Sequence, residues 1–268
     1  MTSLESTIDP TVANVTNLSV SPLTPLSSDL YAAHCAPPPV TVQRGALVPT
    51  KTSSRVSPWL MSMVYPLGCG MVLPLYFQRI QVLGQDRLPT TGPVILAPTH
   101  RSRWDAILVP YAAGLHATGR HLRFMVTADE VVGVQGWFIR RLGGFPINTR
   151  RPSVASLRHG VELLQRHEPL VIFPEGDIYR DDTVQHLKPG LARLALKAEL
   201  AQPGLGVQIV PMSIRYSHPM VAWRSCATIQ IGTPLQVNQY CQGSLKQAAN
   251  HLTHHLHQAM QFLHGTCG

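Results

Sequence analysis

The chain has 268 residues, with 22 Lys and Arg against 14 Asp and Glu, which gives a formal net charge of +8. Charged residues make up only 13% of the chain and the mean hydropathy is +0.05, which argues against a highly charged, fully soluble enzyme. Eighteen of the basic residues are arginines, whose planar guanidinium groups favour paired contacts with phosphate or carboxylate, so we expect phosphorylated ligands or anionic lipid as partners.

The cysteines and the first residues of the chain indicate the cellular compartment in which we expect the protein. Five cysteines are scattered along the chain and form no C-x-x-C pair, so neither a disulfide framework nor a zinc site is predicted. The opening residues, MTSLESTIDP, contain neither the basic nor the apolar region of a secretory signal. We therefore expect a reducing compartment, with the protein facing the cytoplasm.

The amino-terminal part divides into two predicted segments. Residues 1–50 are rich in Ser, Thr and Pro and have little apolar surface to bury, so we expect a disordered tail that acts as a linker or tether. Residues 51–80 form the second segment and are predicted to associate with a membrane through a helical stretch. The rest of the chain, residues 81–268, is predicted to be the functional domain.

The apolar stretch 56–78 contains 23 residues without a formal charge, long enough to cross a bilayer. Pro58, Pro66 and Pro74 recur within it, and each internal proline removes a backbone hydrogen bond. The sequence therefore favours two short helices that anchor the chain in the membrane interface or as a re-entrant segment. A spanning helix and a buried helical hairpin are the alternatives.

From Gly84 onward, short apolar runs alternate with longer helical patterns. The predicted strands are 93–98, 122–126, 169–173, 208–214 and 227–231, and the predicted helices are about 103–115, 134–142, 153–166, 190–201 and 244–263. Strands separated by helices predict an α/β fold with a mixed, mostly parallel sheet flanked by helices.

The first polar cluster follows the strand at 93–98. His100 and Asp105 come just after its carboxyl end, where α/β sheets place their ligand crevices. A histidine there can act as a general base if an acidic partner fixes its tautomer. Ser102 and Asp105 also have the spacing of a helix capping box, so Asp105 is either the partner of His100 or part of a cap.

The second cluster follows the strand at 169–173. Glu175 lies between a proline and Gly176, which predicts a tight turn that either binds a polar ligand or leaves the carboxylate in solvent. Arg180 and Lys188 follow in the same loop.

Further basic residues flank a Gly-Gly-Phe-Pro sequence that is predicted to form a turn. These residues are Arg140, Arg141, Arg150 and Arg151. Together with the basic residues of the later loop they form a candidate phosphate clamp; the alternative is a solvated rim that contacts anionic headgroups. No nucleic-acid-binding module accompanies them, so nucleic acid is not an expected partner.

The predicted terminal helix carries several histidines. His251 and His255 are four residues apart, but the sequence offers no third ligand and no H-E-x-x-H glutamate, so no metal site is predicted. Leucines at helical spacing mark the packing face, and the histidines are assigned to its polar side.

Four ordered blocks together resemble the lysophospholipid acyltransferase family, whose best-known members are 1-acylglycerol-3-phosphate acyltransferases. The blocks are H-x-S-x-x-D at 100–105, the Gly-Gly-Phe-Pro sequence with its arginines, F-P-E-G at 173–176 and V-P-M-S at 210–213. The resemblance covers residues 80–235. Each block alone is common, whereas all four in this order are specific.

The resemblance implies transfer of an acyl chain from acyl carrier protein or coenzyme A to a glycerolipid hydroxyl, with no metal or redox cofactor. His100 matches the catalytic base and Asp105 its partner, while Glu175 and Gly176 match the block that helps to bind the acceptor. Helix-start or turn N–H groups are expected to stabilise the tetrahedral oxyanion. A lipid acceptor also implies a membrane-associated enzyme.

The third block departs from the family pattern, since Asp177-Ile178-Tyr179 replaces a more usual Thr-Arg-Ser. The sequence therefore keeps two alternatives open: a same-family enzyme with another lyso-lipid, hydroxy or amino acceptor, and a noncatalytic membrane-binding scaffold. A hydrolase is disfavoured because no G-x-S-x-G motif supplies a nucleophile.

Overall fold

An eight-stranded sheet forms the centre of the structure. The computed structural model describes residues 56–148 and 153–266. The predicted tail at 1–50 lies outside these residues, as do Arg150 and Arg151.

The strands follow the spatial order β1-β7-β6-β2-β5-β3-β4, with β8 paired to β6. Their bounds are β1 Arg79–Leu83, β2 Val94–Pro98, β3 Arg123–Thr127, β4 Gly144–Ile147, β5 Leu170–Val171, β6 Gln208–Tyr216, β7 Cys226–Ile231 and β8 Leu235–Gln236. Strands β6, β2, β5, β3 and β4 are mutually parallel, whereas β7 runs antiparallel to β6. The predicted mixed, mostly parallel sheet is confirmed.

Helices cover both faces of this sheet. Their bounds are α1 Pro58–Tyr65, α2 Leu73–Tyr76, α3 Asp105–Ala113, α4 Leu115–Thr118, α5 Gly133–Arg141, α6 Val154–Gln165, α7 Gly190–Ala201 and α8 Leu245–Gly265. Alternate residues of β2 enter two different cores: Ile95 packs with α6, α7 and α8, and Leu96 packs with α2 and α3. Burial on both faces explains why the strands read as continuous apolar runs.

The predicted elements differ from the observed ones in three places. The sequence 144–147 was expected to be a turn but forms the edge strand β4, because Phe145 is fully buried and the backbone pairs in register with β3. Strand β5 contains only Leu170–Val171, although Ile172 N–H still bonds Leu96 O at 3.0 Å. Strands β1 and β8 were not predicted.

The apolar stretch near the amino terminus forms one continuous helical run, Pro58–Tyr76, rather than two separate helices. A π-helical segment, Pro66–Val72, joins α1 to α2. There the N–H of Leu73 bonds Gly68 O, five residues back, and this wider turn carries the backbone past the prolines. The prediction that proline breaks the helix is therefore wrong.

The two faces of this run, called here the N-terminal helix, differ in exposure. Met61, Tyr65, Cys69 and Leu73 follow one another at intervals of four and are buried. The opposite face exposes Trp59, Met63, Leu67, Met71 and Leu75, called here the apolar stripe. Among the described residues it is the one helix long and apolar enough to cross a membrane. A buried hairpin is excluded.

The N-terminal helix extends across the sheet from one edge to the other. Ser57 N–H donates to Arg141 O at 2.9 Å, near the edge where the parallel strands begin. At the other end Phe77 stacks on Tyr216, the last residue of β6, with 6.0 Å between ring centroids. The second edge, where the parallel strands end, is called the carboxyl edge.

Candidate active site

His100 and Asp105 meet at the carboxyl edge, after β2. The Nδ1 atom of His100 lies 2.9 Å from Asp105 Oδ2, and the carboxylate is fully buried. The same oxygen accepts the N–H groups of Arg101 at 2.7 Å and Ser102 at 2.9 Å. Because a carboxylate accepts from Nδ1–H, this contact favours the tautomer with its lone pair on Nε2.

The two interpretations of Asp105 prove compatible. Helix α3 begins at Asp105, and the carboxylate reaches back to the N–H of Ser102 as it would in a capping box. The Ser102 hydroxyl accepts from Trp104 N–H at 3.3 Å rather than from Asp105 N–H. One carboxylate therefore orders the helix start and holds the imidazole.

The His100 ring is packed on one side and open at one nitrogen. It stacks on Phe173 with 4.0 Å between centroids, and its side chain is 19% exposed. Within residues 56–148 and 153–266 no protein group bonds Nε2. That nitrogen is thus the one positioned to exchange a proton with a bound molecule.

Glu175 is buried and engaged entirely with protein donors. Its Oε2 accepts from His100 N–H at 2.8 Å and from Arg101 Nη1 at 2.9 Å. Its Oε1 accepts from Arg101 Nη2 at 3.1 Å and from Gln185 N–H at 2.9 Å. The solvated-turn interpretation is therefore wrong, and neither oxygen is left for direct contact with an acceptor.

Arg101 joins the loops that follow β2 and β5. Its side chain is only 5% exposed, and Nη2 also donates to Thr183 O at 2.8 Å. In return, Tyr179 N–H donates to His100 O at 2.9 Å. These bonds lock the backbone of His100 against the loop that carries Glu175.

Gly176, Lys188 and Arg180 lie on this same loop. Gly176 has φ +76°, and a Cβ there would meet Lys188 Nζ at 2.5 Å, so a side chain is disfavoured by conformation and by contact. Arg180 is exposed and directly follows Tyr179. Asp177 is also exposed, and its Oδ1 accepts from Ile178 N–H at 2.8 Å.

Arg140 and Arg141 lie elsewhere. They end α5, three residues before β4 begins, and therefore occupy the edge opposite to His100. Arg141 stacks over Trp137 at 4.0 Å from the ring centroid. The prediction that these arginines form one clamp with Arg180 and Lys188 is wrong, because Arg140 and Arg141 precede β4 whereas Arg180 and Lys188 follow the parallel strand β5, which places the two groups at opposite ends of the sheet.

A second polar cluster holds the loop after β5 through Asp182. Asp182 accepts from Arg215 Nη2 at 2.6 Å and contacts His264 Nε2 at 3.0 Å, while His264 Nδ1 lies 2.9 Å from Ser213 Oγ. Burial lowers the pKa of His264, an effect that Asp182 opposes. The Arg215 guanidinium lowers the pKa of Asp182. These contacts join the loop after β5 to β6 and to α8.

The N–H groups expected to stabilise an oxyanion are mostly engaged. Those of Arg101 and Ser102 bond Asp105, and that of Gly176 bonds Phe173 O at 3.1 Å. Over the described residues, no group of three or more His, Cys, Asp or Glu is arranged to hold a metal ion. The arrangement suits proton transfer at His100 Nε2.

Sequence reasoning missed Arg101, Tyr216 and the Asp182 cluster. Arg101 stands between His100 and Ser102, and nothing in this local sequence distinguishes it from an exposed arginine. Tyr216 Oη donates to Asp105 Oδ1 at 2.5 Å across 111 positions of sequence, a separation that no local pattern reveals.

Known proteins are similar to the part of the chain that contains these site residues. The model of the family described as Acyltransferase matches residues 79–215. A 1-acyl-sn-glycerol-3-phosphate acyltransferase of Streptococcus pneumoniae is 26% identical over 160 residues, covering 57% of this chain and 54% of that protein. A chloroplastic protein of Arabidopsis thaliana with the same enzyme name is 25% identical over 160 residues, covering 58% and 38%.

A solved structure has a similar fold. The 1-acyl-sn-glycerophosphate acyltransferase PlsC from Thermotoga maritima superposes with a TM-score of 0.58 at 18% identity, covering 76% of this chain and 80% of that chain. The matched part spans about half of the bacterial relative's length and less of the chloroplastic one. The family resemblance predicted from the sequence blocks is confirmed.

Proposed function

Because this chain belongs to the acyltransferase family, we propose that it transfers an acyl group to the free hydroxyl of 1-acyl-sn-glycerol-3-phosphate and so makes phosphatidic acid. The donor is an acyl thioester of acyl carrier protein or coenzyme A, and no metal or redox cofactor takes part. The observation that carries this proposal is the open Nε2 of His100, held by Asp105 at the carboxyl edge.

The proposed reaction needs one proton acceptor. His100 Nε2 takes the proton of the acceptor hydroxyl as its oxygen attacks the thioester carbonyl. The new C–O bond forms, the C–S bond breaks, and the protonated imidazole returns its proton to the leaving sulfur. Asp105 stabilises the imidazolium between these two steps, which a buried carboxylate at 2.9 Å does well.

Glu175 serves this reaction as a support. The buried pair with Arg101 fixes the loop after β2, and the bond from His100 N–H to Oε2 sets where the histidine backbone lies. A base must lie within hydrogen-bond reach of the proton that it takes, so this support affects the rate without touching the acceptor.

The acceptor phosphate is assigned to Arg180 and Lys188. Both are exposed, both lie on the loop that bonds the His100 backbone, and both carry charge suited to a phosphate monoester. Ser102 remains a candidate for contact with substrate, because it is only half-buried and lies beside His100 and Asp105. Arg150 and Arg151 keep the predicted phosphate role as part of this proposal.

Membrane association is proposed for the apolar stripe. It is exposed along the N-terminal helix, and the sequence 56–78 holds no acidic residue that anionic lipid would repel. Arg140 and Arg141 lie near the start of this helix, through the bond from Ser57 N–H to Arg141 O, where they suit lipid headgroups. We place the enzyme on the cytoplasmic face.

The loop 217–225 follows β6 and extends this surface at the carboxyl edge. It exposes Met220 and Trp223, and its Arg224 N–H donates to Tyr76 O at 2.7 Å. The Tyr76 ring contacts both Trp223 and Trp104, which directly precedes Asp105, at 5.6 and 4.1 Å between centroids. A lipid acceptor would thus reach His100 from the bilayer.

One observation favours a second candidate. Asp177 replaces a hydroxyl residue in the third block and is exposed beside Gly176, where it would repel a phosphate dianion. This favours the same chemistry on an acceptor without phosphate, such as another lyso-lipid or a hydroxy or amino compound.

An acceptor panel tests both candidates. The purified chain is given a radiolabelled acyl thioester and, in separate mixed micelles, 1-acylglycerol-3-phosphate, 1-acylglycerophosphocholine or a monoacylglycerol. The proposal predicts transfer to 1-acylglycerol-3-phosphate at the highest kcat/KM. A higher kcat/KM for an acceptor without a phosphate monoester would support the second candidate, and no transfer to any acceptor would support the scaffold interpretation.

A further inference from the structure

We propose that Tyr216 is a positioning residue for acyl transfer: its hydroxyl fixes the Asp105 carboxylate that holds His100. This inference rests on the proposed function, since the reaction that it serves is the one proposed above. Tyr216 is the last residue of β6 and belongs to none of the four sequence blocks.

The contacts of Asp105 divide between its two oxygens. Oδ2 accepts His100 Nδ1–H and two backbone N–H groups, while Oδ1 has one hydrogen-bond partner among the described residues, Tyr216 Oη at 2.5 Å. A carboxylate held on one oxygen alone can rotate about its Cβ–Cγ bond. Tyr216 prevents that rotation and keeps Oδ2 aimed at the imidazole.

The phenol of Tyr216 remains a donor throughout the working pH range. Burial raises its pKa far above the ordinary value for tyrosine, and the neighbouring Asp105 carboxylate raises it further. A deprotonated phenolate would face Asp105 as a second negative charge. The protonated hydroxyl instead removes part of the carboxylate's negative charge from the imidazole.

The Tyr216 ring is itself held in place. It stacks on Phe77, which is buried where the N-terminal helix ends. Other charged or titratable groups near His100 are Arg101 and Glu175, which pair with each other and do not contact the Tyr216 hydroxyl. Removing that hydroxyl therefore changes the surroundings of Asp105 while the Arg101–Glu175 pair stays intact.

The variant Tyr216→Phe keeps the ring and removes the hydroxyl. We expect kcat to fall about tenfold or more, as for loss of a hydrogen bond to a charged group, with KM unchanged. The acid limb of the pH–rate profile moves to higher pH, because Asp105 with one donor fewer stabilises the protonated imidazole more strongly. A residue that only supported the fold would leave this limb where it is.

Tyr240→Phe is the matched control. It removes a tyrosine hydroxyl that lies 3.0 Å from the Nδ1 atom of His255 in α8, whereas the Tyr216 hydroxyl contacts Asp105. We expect its kcat and its acid limb to equal those of the wild-type chain. Equal effects of the two variants, or an unmoved acid limb in Tyr216→Phe, would overturn the proposal.

A titration of the His100 ring followed by NMR separates this proposal from the proposed function. The ring signal is identified by its loss in His100→Gln, and it requires no turnover. In Tyr216→Phe the signal should titrate at higher pH, and in an Asp105→Asn background the same change should have no further effect. If the chain shows this shift but transfers no acyl group, the positioning role of Tyr216 stands although the proposed function fails. If the signal does not shift, the positioning role is wrong.

A second variant covers the case in which Tyr216→Phe does not fold, as judged by circular dichroism. Incorporation of 3-fluorotyrosine at position 216 alone keeps the hydroxyl and makes it a stronger donor. The His100 signal should then titrate at lower pH, opposite to the effect of the deletion. An unchanged titration would contradict the proposal.

Discussion

The loops at the carboxyl edge bury polar side chains, whereas the apolar stripe on the N-terminal helix exposes apolar ones. At the carboxyl edge, Asp105 and Glu175 are buried and every oxygen has a protein donor. Along the stripe, side chains such as Met63 and Leu75 are largely exposed and lie outside the three apolar cores of the described chain.

The two regions are therefore suited to different tasks: one to holding a side chain in a fixed position, the other to binding a partner surface. A fully satisfied polar network in a buried site has one low-energy arrangement, so it can hold His100 in a fixed position. An exposed row of apolar side chains stabilises nothing inside the protein and becomes favourable only when a partner covers it. The two regions meet at Phe77 and Tyr76, so the proposed attachment surface and the proposed catalytic site are adjacent.

Substitution at Asp105 should have the largest effect. Asp105→Asn keeps the shape but replaces one carboxylate oxygen with a donor, so His100 loses the partner that fixes its tautomer. We expect kcat to fall by about 10²–10⁴-fold. Steady-state acyl transfer measures this, and Asp129→Asn, at an exposed carboxylate, should retain wild-type rates.

Breaking the buried pair should reduce stability as well as rate. Glu175→Gln leaves the Arg101 guanidinium buried without a balancing charge, so we expect a loss of about 3–5 kcal/mol in the free energy of unfolding. Urea denaturation measures it. If Glu175→Gln unfolded like the wild-type chain but raised KM alone, Glu175 would bind the acceptor rather than support His100.

The surface pair Arg158–Glu162 provides the control for this change. Both side chains are exposed, at 79% and 41%, and the contact is 3.1 Å within one helix turn. Glu162→Gln should change the free energy of unfolding by less than about 0.5 kcal/mol. A comparable loss in both variants would show that burial does not distinguish the two pairs.

Polar substitution of the apolar stripe should weaken membrane binding and spare the fold. Met63→Gln, Leu67→Gln and Met71→Gln together remove three exposed apolar side chains, for an expected loss of about 3 kcal/mol in binding to phosphatidylglycerol vesicles. Co-sedimentation measures binding, and thermal unfolding should be unchanged.

Exposed apolar residues elsewhere on the described surface supply the matched variant. Val154→Gln, Leu200→Gln and Phe262→Gln change three such positions outside the N-terminal helix. Their vesicle binding should equal that of the wild-type chain. Loss of binding in this variant, with none in the stripe variant, would assign the membrane surface to another face.

The smallest expected effect is on the pH dependence of stability. Burial lowers the pKa of His264 below its ordinary value of 6.5, so the unfolded chain binds more protons than the folded one. Stability is therefore fully present above about pH 6.5 and declines as the pH falls below it. His264→Gln should flatten this decline between pH 7 and pH 5 in urea melts.

Three other histidines set the background of that measurement. Burial also lowers the pKa of His159, of His255 and of His257, so part of the decline persists in His264→Gln. A decline as steep as that of the wild-type chain would show that His264 does not contribute.

The fold was largely predictable, because its strands and helices alternate and each carries a strong local pattern. Helix α7 was predicted with the observed bounds, 190–201. Strand β4 escaped prediction since Gly144 and Pro146 signal a turn locally, whereas pairing with β3 and burial of Phe145 decide its structure. The helical path of 58–76 escaped for a similar reason, since π-helical bonding tolerates the prolines.

The candidate site was predictable only in part. His100 and Asp105 are close in sequence, so one loop reveals their pairing. The roles of Arg101 and Glu175 depend on two loops that the sheet brings together across 74 positions, and Tyr216 depends on a third strand. The placement of Arg140 and Arg141 required the sheet order, which composition does not contain.

His100 is proposed as the base of an acyl transfer, and single-turnover kinetics with His100→Ala provide the decisive experiment. The purified variant, shown by circular dichroism to be folded, is mixed in excess with a labelled acyl thioester and 1-acylglycerol-3-phosphate. We expect a transfer rate at least about a hundredfold below that of the wild-type chain. A folded His100→Ala that transfers the acyl group within about tenfold of the wild-type rate would contradict it.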